Sequence, residues 1–498
     1  MIKLFAIYDL YCSLEQKFID LTTMEPKKFY PHQFGLIHFS GIGGIGMSGI
    51  AEILHNLGCK IQGSDVTKSA NVLRLEKIGI KVFIGQNEAN ISNVSVLVRS
   101  SAIGRDNPEL VAARKHNIPV IDRADMLKEI MFLKNCVTIA GTHGKTTTTS
   151  IIAHLFKDLA FDPTVINGGI LNSYNSNAYL GQGDWLVAEA DESDGSFNKL
   201  PAQIAVVTNI EPEHMEFYGD FNSLRAAFKS FIEKVPFYGF AVLCSDHDEV
   251  SNIAKEIKDR KIITYGEGVE ASVRATNIIL KEHGVGFTLE VNLANHIGAY
   301  PDFFLPLYGR HNVANALAAI AVTLGIGAEI EHVKKSLAQF LGVKRRLTVT
   351  AKIKNNITII DDYGHHPTEI KATISAVCEM NQVRKKRGNI IVVMQPHRYS
   401  RLYDLFKEFS YCFAGADKIF ITDVYAAGEK EISGINKESL VNAIKHNGQQ
   451  EAYEVANLSK IEVQLKEHLN AHDLIIFLGA GDITQYANSV PAKLEALL

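Results

Sequence analysis

The chain has 498 residues, 46% of them hydrophobic and 21% charged, with Lys+Arg 51 against Asp+Glu 55 and a net charge of −4. That length predicts about three domains, each able to bury a core, and the balanced charge gives no general electrostatic attraction for nucleic acid. Six cysteines, at 12, 59, 136, 244, 378 and 412, show no metal-ligand spacing, and no apolar run reaches about 18 residues, so a reduced cytoplasmic protein without a membrane span is expected.

Residues 1–30 are partly apolar but carry Asp9, Glu15, Lys17 and Asp20, and lack the cationic, apolar and small-residue order of a signal peptide. They read either as an extra helix or as sequence upstream of a start at Met24. The first regular block opens with a strand at Leu36 to Phe39, a glycine loop Gly41-Ile-Gly-Gly-Ile-Gly46 and a helical run to Leu57. A second strand from Cys59 to Gln62 runs into Gly63-Ser-Asp65, with further strands at Val94 to Arg99 and around Val120. Taken alone, this βαβ opening with G-x-G-x-x-G and a following Asp reads as a dinucleotide site, which would make the protein a nicotinamide-dependent oxidoreductase.

The second block begins with Val137-Thr-Ile-Ala-Gly-Thr-His-Gly-Lys-Thr-Thr-Thr-Thr-Ser150. Strand, glycine-bounded loop and amphipathic helix in that order make a phosphate cradle, because backbone N–H groups and the helix dipole face the anion. Lys145 would reach the distal phosphates and Thr146 would ligate Mg²⁺. The loop is shorter than the general G-x-x-x-x-G-K-[ST] pattern. Strands follow at Trp185 to Glu189, Ile204 to Thr208 and Phe240 to Cys244. Glu189-Ala-Asp-Glu-Ser-Asp194 and Asn209-Ile-Glu-Pro-Glu-His-Met215 close two of them, and bring Glu189 and His214 to the edge where a hard cation would sit. Segments around His283-Gly284 read as an antiparallel hairpin region, and helices follow at Asn312 to Leu324 and Ile330 to Phe340. His311 and Asn312, just before the first of these, either cap it or meet the nucleotide base.

The third block starts after Gly342-Val-Lys-Arg-Arg346, with strands at Ile357 to Ile360, Asn389 to Met394, Lys418 to Thr422 and Leu474 to Leu478. Strands alternating with helices predict a parallel sheet. Asp361-Asp-Tyr-Gly-His-His-Pro367, Gln395-Pro-His-Arg-Tyr-Ser-Arg401 and Asp423-Val-Tyr-Ala-Ala-Gly-Glu429 all follow strand ends, where open α/β sheets bind ligands. Arg398 and Arg401 suit a carboxylate, although two surface arginines in a turn would look the same.

The loop G-T-H-G-K-T, together with Gly41-Ile-Gly-Gly-Ile-Gly-Met-Ser-Gly49, Ser100-Ser-Ala-Ile103, Asn107-Pro-Glu109, E-A-D-E-S-D, D-D-Y-G-H-H-P and Q-P-H-R, resembles the Mur ligase family from about Ile37 to the end. These are ATP-dependent amide-forming enzymes of cell-wall precursor synthesis. The resemblance implies three α/β domains: a Rossmann-like N-terminal domain over 1–134, a central P-loop ATPase-type domain with a mostly parallel sheet over 135–343, and a Rossmann-like C-terminal domain over 344–498. It implies that L-alanine is joined to the lactyl carboxylate of UDP-N-acetylmuramate through an acyl phosphate, with ATP and Mg²⁺ or Mn²⁺, in a monomer or homodimer.

By the same resemblance Gly41, Gly43, Gly44, Gly46, Ser64, Asp65 and Ser101 hold the UDP-sugar. Gly141, Thr142, His143, Gly144, Lys145, Thr146, Thr147, His311, Asn312, Arg346 and Asp362 hold ATP. Tyr363, His397, Arg398 and Arg401 hold the amino acid, and Thr146, Glu189 and His214 ligate the metal. Lys145, His214, Arg398 and Arg401 are the expected catalytic set, and Arg345-Arg346 lie near a hinge. Gln86 stands where relatives often carry His, and Phe228 where several carry a carbamylated lysine, so no such lysine is expected. Two other readings stay open: a non-catalytic ATP-binding module, and a related ligase that attaches a tripeptide to the same sugar.

Overall fold

The computed structural model describes residues 35–100, 102–132, 134–171 and 176–498. The extension at 1–30 and Ser101 lie outside them. The apolar runs of the sequence become strands covered on both faces, as parallel sheets require. The first sheet comprises β1 (Leu36–Ser40), β2 (Lys60–Asp65), β3 (Lys81–Ile84), β4 (Val94–Arg99) and β5 (Val120–Asp122), all parallel, in the order β3-β2-β1-β4-β5. Strand order reverses at β1, and the glycine loop leaves that switch point, where such sheets bind ligands.

The second sheet has ten strands: β6 (Asn135–Ala140), β7 (Thr164–Leu171), β8 (Ser176–Tyr179), β9 (Trp185–Glu189), β10 (Ile204–Val207), β11 (Phe240–Cys244), β12 (Ile262–Gly266), β13 (Val273–Lys281), β14 (Gly284–Leu293) and β15 (His296–Leu305). Their order is β15-β14-β13-β12-β11-β10-β6-β9-β7-β8. The run from β13 through β12, β11, β10, β6 and β9 to β7 is parallel, while β13-β14-β15 form an antiparallel meander and β8 is antiparallel to β7. β6 lies at the centre and feeds the helix Lys145–Asp158, against which the apolar helix Arg310–Gly325 packs.

The third sheet comprises β16 (Thr348–Ile353), β17 (Ile357–Asp362), β18 (Ile390–Met394), β19 (Lys418–Ile421), β20 (Ala452–Glu454) and β21 (Leu474–Leu478), ordered β16-β17-β21-β18-β19-β20. Only β16 is antiparallel. Two apolar layers cover its faces, one around Ile370, Phe409 and Leu440, the other around Phe420, Ile483 and Leu494. The chain forms two compact units, one through Asp122 and one from Arg123 onward; the second contains both larger sheets.

The strands beyond those expected are short or lack a pattern. β3 and β20 have four and three residues, β7 contains two glycines, and β15 carries Gly298 and Pro301. Pairing with neighbours, rather than their own composition, makes them strands. Among the described residues no helix is long and apolar enough to cross a membrane.

Candidate active site

In the first unit the glycine loop is pinned to the end of β2. Gly41 and Ile42 donate to the Ser64 carbonyl at 2.8 and 2.9 Å, and Gly43 N–H donates to Asp65 Oδ2 at 2.8 Å. Gly41 adopts φ +80°, closed to most side chains, and a Cβ on Gly63 would stand 2.7 Å from the Phe39 carbonyl. Gly44 precedes the helix Ile45–Asn56 and Gly46 lies in its first turn. Asp65 therefore shapes the loop. Ser64 is fully buried and turns its hydroxyl onto Glu109 at 2.7 Å. Ser40 and Asn90 donate to the same buried carboxylate, and His38 Nε2 lies 3.3 Å away. Gln86 accepts from Asn107.

In the second unit Gly141 to Lys145 wrap the end of β6. Gly144, at φ +82°, precedes the helix that Lys145 opens, and a Cβ on Gly144 would meet Asn315 Oδ1 at 2.5 Å. Thr142 and Thr147 are buried in the loop and first turn. Lys145 Nζ donates to the Gly141 and Thr142 carbonyls and to Glu192 at 2.9 Å. Burial alone would favour neutral lysine, but Glu192 and Glu189 outweigh it and hold the ammonium charged. Thr146 Oγ1 and the Gly168 N–H both donate to Glu189 Oε2 at 2.8 Å. His214 clusters with Glu192 and Glu213, their ligand atoms within 4.8 Å of one another. The structure thus pairs Thr146 with Glu189, and places His214 with two carboxylates that the metal set named from sequence leaves out. The carboxylate and hydroxyl oxygens here suit Mg²⁺ or Mn²⁺, and the His214 imidazole adds a softer donor. Phe228 is a core side chain beside Phe197, and Lys229 pairs with Glu256.

His311 is exposed, and Asn312 lies inside the first helical turn and donates to the Tyr308 carbonyl; the cap position is Gly309. Asn315, one turn on, accepts from Thr148 Oγ1 and donates to Asn312 Oδ1, linking that helix to the helix Lys145–Asp158 that follows the ATP loop. Two amides three apart on an otherwise apolar helix were the readable signal for this residue.

The C-terminal strand ends supply the rest. Asp362 is buried and accepts from Leu347 N, Gly364 N and Thr373 Oγ1. Arg345 and Arg346 sit over the Tyr363 ring at 4.7 and 5.3 Å, and Arg345 also donates to the Gly479 carbonyl. Arg346 lies 3.7 Å from Glu369. His397 stacks on Tyr425 at 5.4 Å and meets His365 edge-on; burial depresses both histidines to about 4, so they stay neutral. Arg398 N–H donates to the Tyr425 carbonyl, while Arg401 lies 3.9 Å from Glu213. His214, Arg345 and Arg398 all adopt positive φ, at 58°, 60° and 70°.

Fold and site together define a nucleotide-dependent α/β enzyme with its phosphate loop on the central sheet. Residues 36–134 match the Mur ligase family catalytic domain, 139–323 the Mur ligase middle domain and 345–481 the Mur ligase glutamate ligase domain. The UDP-N-acetylmuramate–L-alanine ligase of Agrobacterium fabrum is 50% identical over 469 residues, 94% of this chain and 98% of that one. Its counterpart from Chelativorans sp. is 51% identical over 93% of this chain and 99% of its own. The crystal structure of UDP-N-acetylmuramate-alanine ligase from Thermotoga maritima superposes with a TM-score of 0.78 at 28% identity, covering 93% of this chain and all of that one. A murein peptide ligase from Psychrobacter arcticus shares the fold, with a TM-score of 0.67 at 20% identity. The chain belongs to the Mur ligase family.

Proposed function

We propose that this protein joins L-alanine to the lactyl carboxylate of UDP-N-acetylmuramate at the expense of ATP, in peptidoglycan precursor synthesis in the cytoplasm. Residues 1–134 hold the UDP-sugar, 135–343 hold ATP and 344–498 hold the amino acid. One observation carries the pairing of ATP with an amino acid. Lys145 of the ATP loop contacts Glu192, Arg401 in the helix Tyr399–Asp404 after β18 lies beside Glu213, and these two carboxylates share a cluster with His214.

In this reading the lactyl carboxylate oxygen attacks the γ-phosphorus and the bond to the β-phosphate oxygen breaks, leaving an acyl phosphate and ADP. The alanine amine, as its free base, then attacks the acyl carbon, and the tetrahedral intermediate collapses to the amide as the bond to phosphate breaks and one amine proton leaves to solvent or phosphate. Two anions must meet, so the site supplies positive charge: Lys145 stabilises charge developing on the transferred phosphoryl group. A divalent ion held by Thr146, Glu189 and His214 would supply Lewis-acid charge neutralisation there. Arg398 and Arg401 fix the α-carboxylate, and neutral His397 with Tyr363 orients the amine. Arg346, His311 and Asn312 line the nucleotide side.

The test is phosphate release with UDP-N-acetylmuramate against a panel of amino acids and the tripeptide. Release with L-alanine and not with the tripeptide is expected. Turnover with the tripeptide alone would reassign the chain to the recycling reaction, and nucleotide binding without release under any condition would leave a binding module.

A further inference from the structure

His143 belongs to the ATP loop by its backbone, whose N–H donates to Asn209 Oδ1 at 2.8 Å. Its side chain is engaged elsewhere. Nε2 lies 3.4 Å from Glu211 Oε2, and Nδ1 lies 3.4 Å from Glu369 Oε1. The ring sits 5.0 Å from that of His366. Glu211 follows β10 of the central sheet, whereas His366 and Glu369 start the helix Pro367–Gln382 on the third sheet. One imidazole thus spans two carboxylates contributed from the two sides of the domain boundary. The contact has company: Thr368 Oγ1 donates to Glu211 Oε2 at 3.0 Å, and Glu369 also accepts from the His365 N–H and faces Arg346.

This arrangement costs the loop nothing at the phosphates, because the cradle is built from N–H groups and Lys145. It does give the loop a charged handle on the segment that carries Tyr363 and His365. Burial alone would keep the imidazole neutral, but Glu211 and Glu369 outweigh it and push it up to about 9, so both contacts are charged at neutral pH.

We infer that His143 is a positioning residue that latches the amino-acid-binding domain onto the ATP loop, rather than a nucleotide contact. The inference rests on the ligase reading above for its kinetic consequence only.

The experiment compares His143→Gln, Glu369→Gln and the double variant with the wild-type full chain. Each is first checked for a wild-type circular dichroism spectrum, with Glu211→Gln as the substitute if one fails to fold. Affinity for a non-hydrolysable ATP analogue, hydrogen exchange over residues 365–372, and steady-state kinetics are then measured. The expected result is analogue affinity within about 3-fold of wild type, faster exchange at 365–372, and turnover lowered about 10-fold or more. The double variant should be no worse than the worse single. Analogue affinity weakened about 10-fold or more with unchanged exchange would make His143 a nucleotide contact and overturn the latch, as would additive single effects. Failure of the ligase reading is separable: wild-type protein would then release no phosphate with sugar and alanine, while exchange in nucleotide-free protein would still report the latch.

Discussion

Replacing Lys145 by Ala should cost stability as well as activity. Its ammonium sits on Glu192, which is only 4% exposed. Removing the lysine leaves that carboxylate buried and uncompensated, a change that typically costs about 3–5 kcal/mol. The pair belongs to the unit Arg123–Leu498. With an unfolding entropy of about 2.1 cal/mol/K per residue, a unit of that length loses roughly one degree of Tm per 0.8 kcal/mol. Lys145→Ala should therefore melt roughly 4–6 °C lower, with turnover reduced about 10²–10³-fold. Lys145→Met combined with Glu192→Gln removes both charges at similar volume, and should recover most of the Tm while remaining inactive. Differential scanning fluorimetry and phosphate release separate the two effects. A Lys145→Ala variant melting within about 1 °C of wild type would refute the buried-pair reasoning, and wild-type turnover would remove Lys145 from the chemistry.

Glu189→Gln weakens the acceptor shared by Thr146 and Gly168, so it should raise the Mg²⁺ or Mn²⁺ needed for half-maximal rate and be partly rescued by excess metal; unchanged metal titration curves would exclude Glu189 as a ligand. Arg401→Ala should raise the KM for L-alanine roughly 10- to 150-fold and leave that for ATP nearly unchanged; an equal rise in all three KM values would point to lost closure instead. Glu109→Ala strands the Ser40, Ser64 and Asn90 donors beneath the glycine loop, so the first unit should lose about 3–5 kcal/mol and the KM for the UDP-sugar should rise, as urea melts and kinetics would show. His143 faces Glu211, Glu213 and His247 on one side and His366 and Glu369 on the other, and Glu369 in turn faces Arg346. Its pKa is raised in the folded state, so its stabilisation is complete below about 6.5 and lost as pH rises through about 9. The Tm gap between wild type and His143→Gln should shrink over that window.

Much of this site was readable because phosphate chemistry imposes a pattern on the backbone. Gly141, Gly144, Lys145 and Thr146 could be placed at a strand-to-helix turn from spacing alone, since positive φ and a helix N-terminus fix where they stand. In the acidic run from Glu189 to Asp194 the sequence singled out Glu189, the last strand residue, but not Glu192. It leaves β9 in a turn, where strand alternation no longer says which carboxylate points inward, and Glu192 is the one buried against Lys145. Glu211 and Glu369 were invisible as partners because their meeting depends on how two sheets pack, which no local period encodes. Glu109 sits in the first turn of the helix Pro108–Lys115, a position that reads as an ordinary dipole-favouring acid. Its burial comes from Ser40 and Ser64 arriving on two neighbouring strands.

The left-handed backbone at His214, Arg345 and Arg398 bears on how this enzyme would respond to selection. Each places a charged or titratable side chain at a positive φ that glycine adopts with less strain; His214, at φ 58° and ψ 36°, is in the left-handed well that asparagine also tolerates, whereas Arg398, at φ 70° and ψ 135°, is not. A screen that rewards heat resistance alone would therefore be drawn to these positions, and on the ligase reading each gain there would remove a side chain beside the proposed site. Thermostable variants found without an activity filter should be enriched in Gly at 214, 345 and 398 and in Asn at 214, and should be poor catalysts.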